Sequence, residues 1–465
     1  MRSFLHISHP LSTDPIRQLA RRLATIIAAL ATVGCQFYQP SPLDGADHTK
    51  RWQQRSPSSK QVIEFAEQLE SEGKTSTRFN PADGLSLAEA EIIALMFNPE
   101  LRLARLKTGV AKATAEHAGR WDDPELEFDV LKVTEGVPQP WIIGSGLSLT
   151  IPISGRLSVE KSRAKAVVHA ELARVAEQEW HTRCTLREAW FEWSAQRTRL
   201  SETEHMLESL KSIVESTSQL AESGEIPRTE ATLFRIEQQS LKAGLDSLRG
   251  RIKENEQEIR SLMGISPTAN AQLLPSLANP PTRKQGRLQE ENPTLLRLHN
   301  EYQVAELTLR REIRKQYPDI EIGPGFEEDQ GQSRVGVIGV IPIPLLNSNK
   351  GGIATAKAER EVARAVYETS LERMQGRLAS LKARLDATHA RRQTILAEIV
   401  PLVTRQVEDA RKLLELGESG SLVLLESLVR AHEAKLSLVD VRLDHLTTHN
   451  HIQQLHGPAP LAARK

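Results

Sequence analysis

Hydrophobic and polar positions along this chain follow two periods, and the same succession of periods occurs twice. In the first copy, Leu126, Phe128 and Val130 alternate with Glu125, Glu127 and Asp129. In the second, Ile320 and Ile322 alternate with Asp319, Glu321 and Gly323. A period of two is that of a strand with one apolar and one polar face. Each run meets a break, Thr134 to Pro140 and Glu327 to Ser333, followed by a return strand, Ile142 to Ile153 and Val335 to Ile343.

Around the hairpins the period changes to that of a helix. From Leu157 to Glu222 no proline occurs, and aliphatic and charged residues recur three and four apart. The second copy runs from Ile353 to Leu416, interrupted by Pro401, which predicts a kink. At 1.5 Å per residue, such a helix is about 100 Å long. Gly224 with Pro227, and Gly417 with Gly420, predict reversals into second long helices, Glu230 to Leu262 and Leu422 to Leu455. Short helical runs that open at Asn98-Pro99 and Asn292-Pro293 precede each hairpin. The chain therefore reads as two repeats, 81–265 and 289–456, joined by a linker at 266–288, with an N-terminal linker at 35–80 and a tail at 457–465. The fold class is mainly α: long antiparallel coiled-coil helices with two β-hairpins per chain that contribute to a membrane β-barrel.

Residues 1–34 read as a signal peptide. Arg17, Arg21 and Arg22 precede the apolar run Leu23 to Val33, and Gly34 leads into Cys35. The run is too short to span a bilayer, and Cys35 at the cut site is expected to carry lipid, although Thr32 stands where such sites usually have Leu. The other cysteine, Cys184, lies in a helical run and reads as a small buried apolar residue.

Composition agrees with long helices. Aromatics are only 4% of the chain, which leaves little to fill globular cores. Sixty basic and sixty acidic residues cancel, which argues against a nucleic-acid partner. There is no Walker loop, dinucleotide fingerprint or His-Glu-x-x-His motif, so no enzyme, cofactor or metal centre is expected. His445 and His449, one turn apart, read as solvated rather than as metal ligands.

Amphipathic hairpins with strands of about ten residues suit a bilayer, where a spanning strand needs roughly 9 to 11 residues. Four strands cannot close a barrel, and open edges are intolerable in hydrocarbon, so several chains must share one barrel. Glu125, Glu127, Asp129, Asp319 and Glu321 would then face a wet lumen, with Trp121, Trp141 and Tyr317 in interfacial belts.

The phrases Leu85-Ser86-Leu87, Asn98-Pro99-Glu100-Leu101, Ile151-Pro152-Ile153-Ser154-Gly155-Arg156, Asn292-Pro293 and Ile341-Pro342-Ile343-Pro344-Leu345-Leu346-Asn347 resemble the outer-membrane efflux protein (TolC-like) family, over about Leu85 to Leu455. The stretch Asn347-Ser348-Asn349-Lys350-Gly351, with Pro401 and Gly417, is most similar to the branch associated with heavy-metal and cation efflux. The resemblance implies a homotrimer with a twelve-stranded barrel in the outer membrane and helices in the periplasm. It also implies a periplasmic adaptor and an inner-membrane pump as partners, and passive export of small solutes or metal cations. Within it, Glu426 falls on an acidic gate position, Val423 replaces a second acidic residue, and Thr229-Glu230 matches a Thr-Asp pair at the other tip. Two alternatives stay open: a channel for secreted proteins of the type I kind, and a non-transporting coiled-coil lipoprotein of the envelope.

Overall fold

The two alternating segments join one four-stranded antiparallel sheet, β1 (Glu125–Lys132), β2 (Trp141–Ile151), β3 (Ile320–Asp329) and β4 (Gln332–Val340), in that spatial order. The computed structural model describes residues 38–458 except 74, 76–77, 135, 137–139, 279–286, 330–331 and 417–420. Cys35, Gly417 and Gly420 therefore lie outside the described residues. Where the sequence predicts a break from Glu327 to Ser333, β3 instead runs to Asp329 and β4 starts at Gln332. The pairs Glu328 with Ser333 and Asp329 with Gln332 continue the ladder, so hydrogen bonding overrides the polar composition there.

The chain divides into two compact units, residues 1–51 and 52–465. The described part of the first holds the start of α1 (Gly45–Gln53), a helix without buried residues. In the second, α2 (Lys60–Ser71) lies in the stretch expected to be a linker, yet it delivers the fully buried Val62 to the core. The first repeat then consists of α3 (Leu87–Phe97), α4 (Pro99–His117), β1, β2, α5 (Arg156–Ser223) and α6 (Arg228–Met263). The second consists of α7 (Leu288–Glu291), α8 (Pro293–Arg314), β3, β4, α9 (Lys350–Thr394), a π-helical turn (Ile395–Ile399), α10 (Val400–Glu415) and α11 (Ser421–His456).

Local chemistry starts and stops these helices. Ser86 and Glu89 exchange side-chain and backbone hydrogen bonds in a capping box at α3. Asn98 and Asn292 cap α4 and α8, each accepting the N–H three residues on, with Pro99 and Pro293 in the first turn where a missing N–H costs nothing. The π turn precedes Pro401, and Val400 N–H reaches back to Ile395 C=O. The extra residue accommodates a ring that would otherwise clash with the Ala397 carbonyl, so the helix continues through the position where the proline predicts a kink.

The Asn-Pro motifs also close their repeats. Asn98 Nδ2 donates to Leu262 C=O at 2.9 Å, and Asn292 Nδ2 donates to Leu455 C=O at 2.7 Å. Each partner carbonyl lies at the end of its repeat's last helix, followed by a left-handed glycine, Gly264 (φ 73°) or Gly457 (φ 85°). A Cβ on either glycine would lie 2.0 or 2.2 Å from the carbonyl oxygen of Phe97 or Glu291. Only glycine allows so close an approach of two chain ends.

Two apolar clusters hold the helices. The first gathers Val62, Leu85, Ile93, Leu186, Trp190, Trp193, Ile259 and Met263, with the two indoles edge to face at 5.6 Å. The second joins both repeats near the reversals through Met206, Leu210, Phe234, Ala410, Leu424 and Leu428.

Candidate functional site

The strand register sorts the sheet into two chemically different faces. Residues opposite one another share a face, and Glu125, Glu127 and Asp129 stand opposite Ser148, Gly146 and Gly144. Through the next pairings the same face collects Gly325, Glu327 and Glu321, then Arg334, Gly336 and Val340. The other face carries Leu126, Phe128, Val130, Ile143, Leu147, Ile322, Phe326, Val335 and Val337, and these side chains are 39% to 82% exposed in the single chain. Leaving so much apolar surface to water costs about 25 cal/mol per Å² relative to burial. A medium such as lipid removes that cost. Trp121 and Tyr317 lie before β1 and β3 at one end of the sheet, whereas Trp141 opens β2 at the other, with Lys132 over its ring at 5.5 Å.

Asp319 is placed differently from the other four acidic residues. It precedes β3, and its carboxylate binds Arg156 at 2.8 Å, beside Asp122 at 3.0 Å. The partly buried pair fixes the junction between strand and helix rather than adding charge to the sheet face. Nearby, burial raises the Glu312 carboxyl, but hydrogen bonds from Lys315, Asn349 and Arg311 more than offset this and hold it down at about 2.

At the reversal between α5 and α6, Gly224 adopts φ 83° and ends α5. Glu230, in the first turn of α6, accepts a 2.7 Å hydrogen bond from Ser421 Oγ, the first residue of α11. The two reversals are thereby tied within one chain. Glu426 is 60% exposed and paired with Arg430 at 2.8 Å, which also reaches Glu433 at 3.0 Å. Val423, one turn closer to the reversal, is exposed alongside Leu416 and Leu422. Glu230 and Glu426 are held by different groups, Ser421 and Arg430. Each carboxylate has its own partner.

A buried ionic cluster escaped the sequence reading. Glu91 of α3 binds Arg183 and Arg187 of α5 at 2.7 and 2.5 Å, and both guanidinium groups lie near the Trp180 ring. Burial raises the Glu91 carboxyl, yet the two arginines together leave it below its ordinary value. A signal was available, because Glu91 interrupts the apolar run Ala90 to Leu95 and a carboxylate there needs a buried cation.

Cys184 is buried, and desolvation pushes its thiol up to about 12, which keeps it unreactive. Among the described residues no three His, Cys, Asp or Glu side chains converge as metal ligands. Among the same residues no helix is long and apolar enough to cross a membrane.

Duplicated long helices that flank an open four-stranded sheet define the TolC-like outer-membrane channel fold. The chain is similar to the outer-membrane channel OprN (15% identity, TM-score 0.70, 92% of this chain and 99% of that one). It is similar also to the outer-membrane protein VceC of Vibrio cholerae (15%, 0.67, 80% and 96%). The Campylobacter jejuni CmeC outer-membrane channel compares likewise (13%, 0.68, 92% and 94%). No protein-family model and no curated protein sequence matches the chain.

Proposed function

We propose that the chain is one subunit of a homotrimeric outer-membrane efflux channel, a passive conduit from periplasm to exterior for small solutes or metal cations. The observation that carries this reading is the sheet, which has an acidic face, an apolar face and two unpaired edges, β1 and β4, among the described residues. Edges without partners cost several kcal/mol per backbone group in hydrocarbon, so further copies must supply the missing strands. Three copies would give twelve strands with Glu125, Glu127, Asp129 and Glu321 toward the lumen. Cys35 would carry the lipid anchor, and the tips at Gly224 and at Gly417 and Gly420 would form the periplasmic entrance and meet an adaptor and an inner-membrane pump. Glu426 and Glu230 would line that entrance. The fold shared with CmeC and OprN supports the reading.

Purification in mild detergent and planar-bilayer recording test it together. The expected result is a trimer with its full strand content and stepwise conductance. A folded monomer that retains the strands and conducts nothing would overturn it and favour the envelope spacer.

A further inference from the structure

Helix α11 carries two histidines whose surroundings suit only the uncharged ring. It packs against α5, α9, the π turn and α10. His445 and His449 are one turn apart and therefore neighbours on one side of the helix. Both are half-buried, and the Nδ1 atom of each is buried without a hydrogen-bond partner. A protonated imidazole is a donor at both nitrogens, so a proton added at Nδ1 has no acceptor in this packing.

The charges that face the two rings are mostly of the wrong sign for a cation. His445 looks toward Arg392 and His389 on α9. Its one acidic neighbour, Asp444, is already held by Arg384 and by Thr388 Oγ1, both of α9. His449 looks toward Arg187 of α5 and toward His445 itself. Other histidines of α11 have acids at hand: His451 pairs with Glu188 of α5, and His432 faces Glu202, which also binds Lys435. The Nδ1 atoms of His432 and His451 are unpartnered as well, but each of those rings has a carboxylate at hand, and what sets the middle pair apart is that it has no uncommitted acid beside it.

We infer that His445 and His449 form an acid-sensitive seam, through which protonation loosens α11 from α5 and α9 and favours opening of the conduit proposed above. Burial, the largest cause, and then the positive neighbours lower the affinity of both rings for protons. A ring with a lowered folded value binds fewer protons than the same ring released. The seam is therefore fully packed above the ordinary imidazole value of about 6.5, and its contribution is lost as the pH falls through the folded value. The consequence travels along α11, because its first residue holds Glu230 and its first turns supply Leu424 and Leu428 to the cluster that joins both repeats.

Amide hydrogen exchange of the assembled, detergent-purified protein at about pH 7.5 and about pH 5.5, either side of the ordinary imidazole value, is the test. After correction for intrinsic rates, amides around His445 and His449 should exchange severalfold faster at the lower pH in the parent. Those of α6 should not change, and the His445→Gln/His449→Gln variant should show no acid response. An equal acid response in that variant, or none in the parent, overturns the seam. If the variant does not assemble, histidine C2 exchange in the parent decides, because rings that titrate at or above the ordinary value also overturn it. The exchange readout does not depend on conductance. A protein that shows the response but conducts nothing would sink the channel reading and leave the seam standing.

Discussion

The two repeats have the same outline and different interiors. In the first, α5 buries Trp180, Trp190, Phe191 and Trp193 within one stretch. In the second, the corresponding α9 buries only Ala356, Leu381 and Thr388, and exposes Val362 and Val366. The π turn and α10 add the exposed Leu396, Ile399, Leu402 and Leu413. Both repeats are nevertheless closed by the same asparagine and glycine. The long helix of the first repeat thus carries a large aromatic core, whereas its counterpart in the second buries little and leaves a face along α9 and α10 for another surface. In a trimer that surface would belong to a neighbouring copy.

Core truncation should separate the repeats most strongly. Trp190→Ala, at a fully buried site among Leu186, Ile259 and Met263, is expected to cost about 3–5 kcal/mol. Leu381→Ala, buried but outside either apolar cluster, should fall at the lower end of the range for such changes, about 2 kcal/mol. Midpoints of chemical unfolding report both, and equal shifts would remove the distinction between the interiors. The closures should instead behave alike. Asn98→Ala and Asn292→Ala each delete a cap and orphan a carbonyl, for about 2 kcal/mol apiece. The double variant should show the sum to within about 0.5 kcal/mol, because the two sites share no partner. Unequal or coupled losses would mean the repeats are not closed independently. The smallest effect on stability belongs to Glu426→Gln. It should move the unfolding midpoint by less than about 0.5 kcal/mol, since the site is exposed. It would still remove a negative charge from the tip and so lower cation selectivity in bilayer recordings. Unchanged selectivity would take Glu426 out of the passage.

Periodicity made the repeats, the hairpins and the long helices legible, because a period of two or of 3.6 needs only local sequence. Leu157 to Glu222 became Arg156–Ser223, and Leu422 to Leu455 became Ser421–His456. What stayed hidden depends on distant partners. Asn98 and Asn292 were readable as helix starts, but not as closures to carbonyls 164 and 163 residues away. The nearly equal spacing from each Asn to Gly264 or Gly457 was the available clue. Glu230 was legible as a tip residue, but its bond to Ser421 depends on how two reversals meet in space. Helix α2 was missed because its burial rests on Val62 and Ala66 alone, too few apolar positions to stand out.

The π turn ahead of Pro401 sets the angular phase of α10. Each residue of an α-helix turns the chain by about 100°, so one inserted residue rotates every later side chain by that amount without breaking the rod. Ile395 points inward before the insertion and Ala410 points into the shared cluster after it. A strictly α-helical path of the same sequence would aim one or the other away from its partners. The proline and its preceding turn thus work as a fixed phase shifter, which lets one uninterrupted rod face one set of neighbours before Ile395 and another set after Val400.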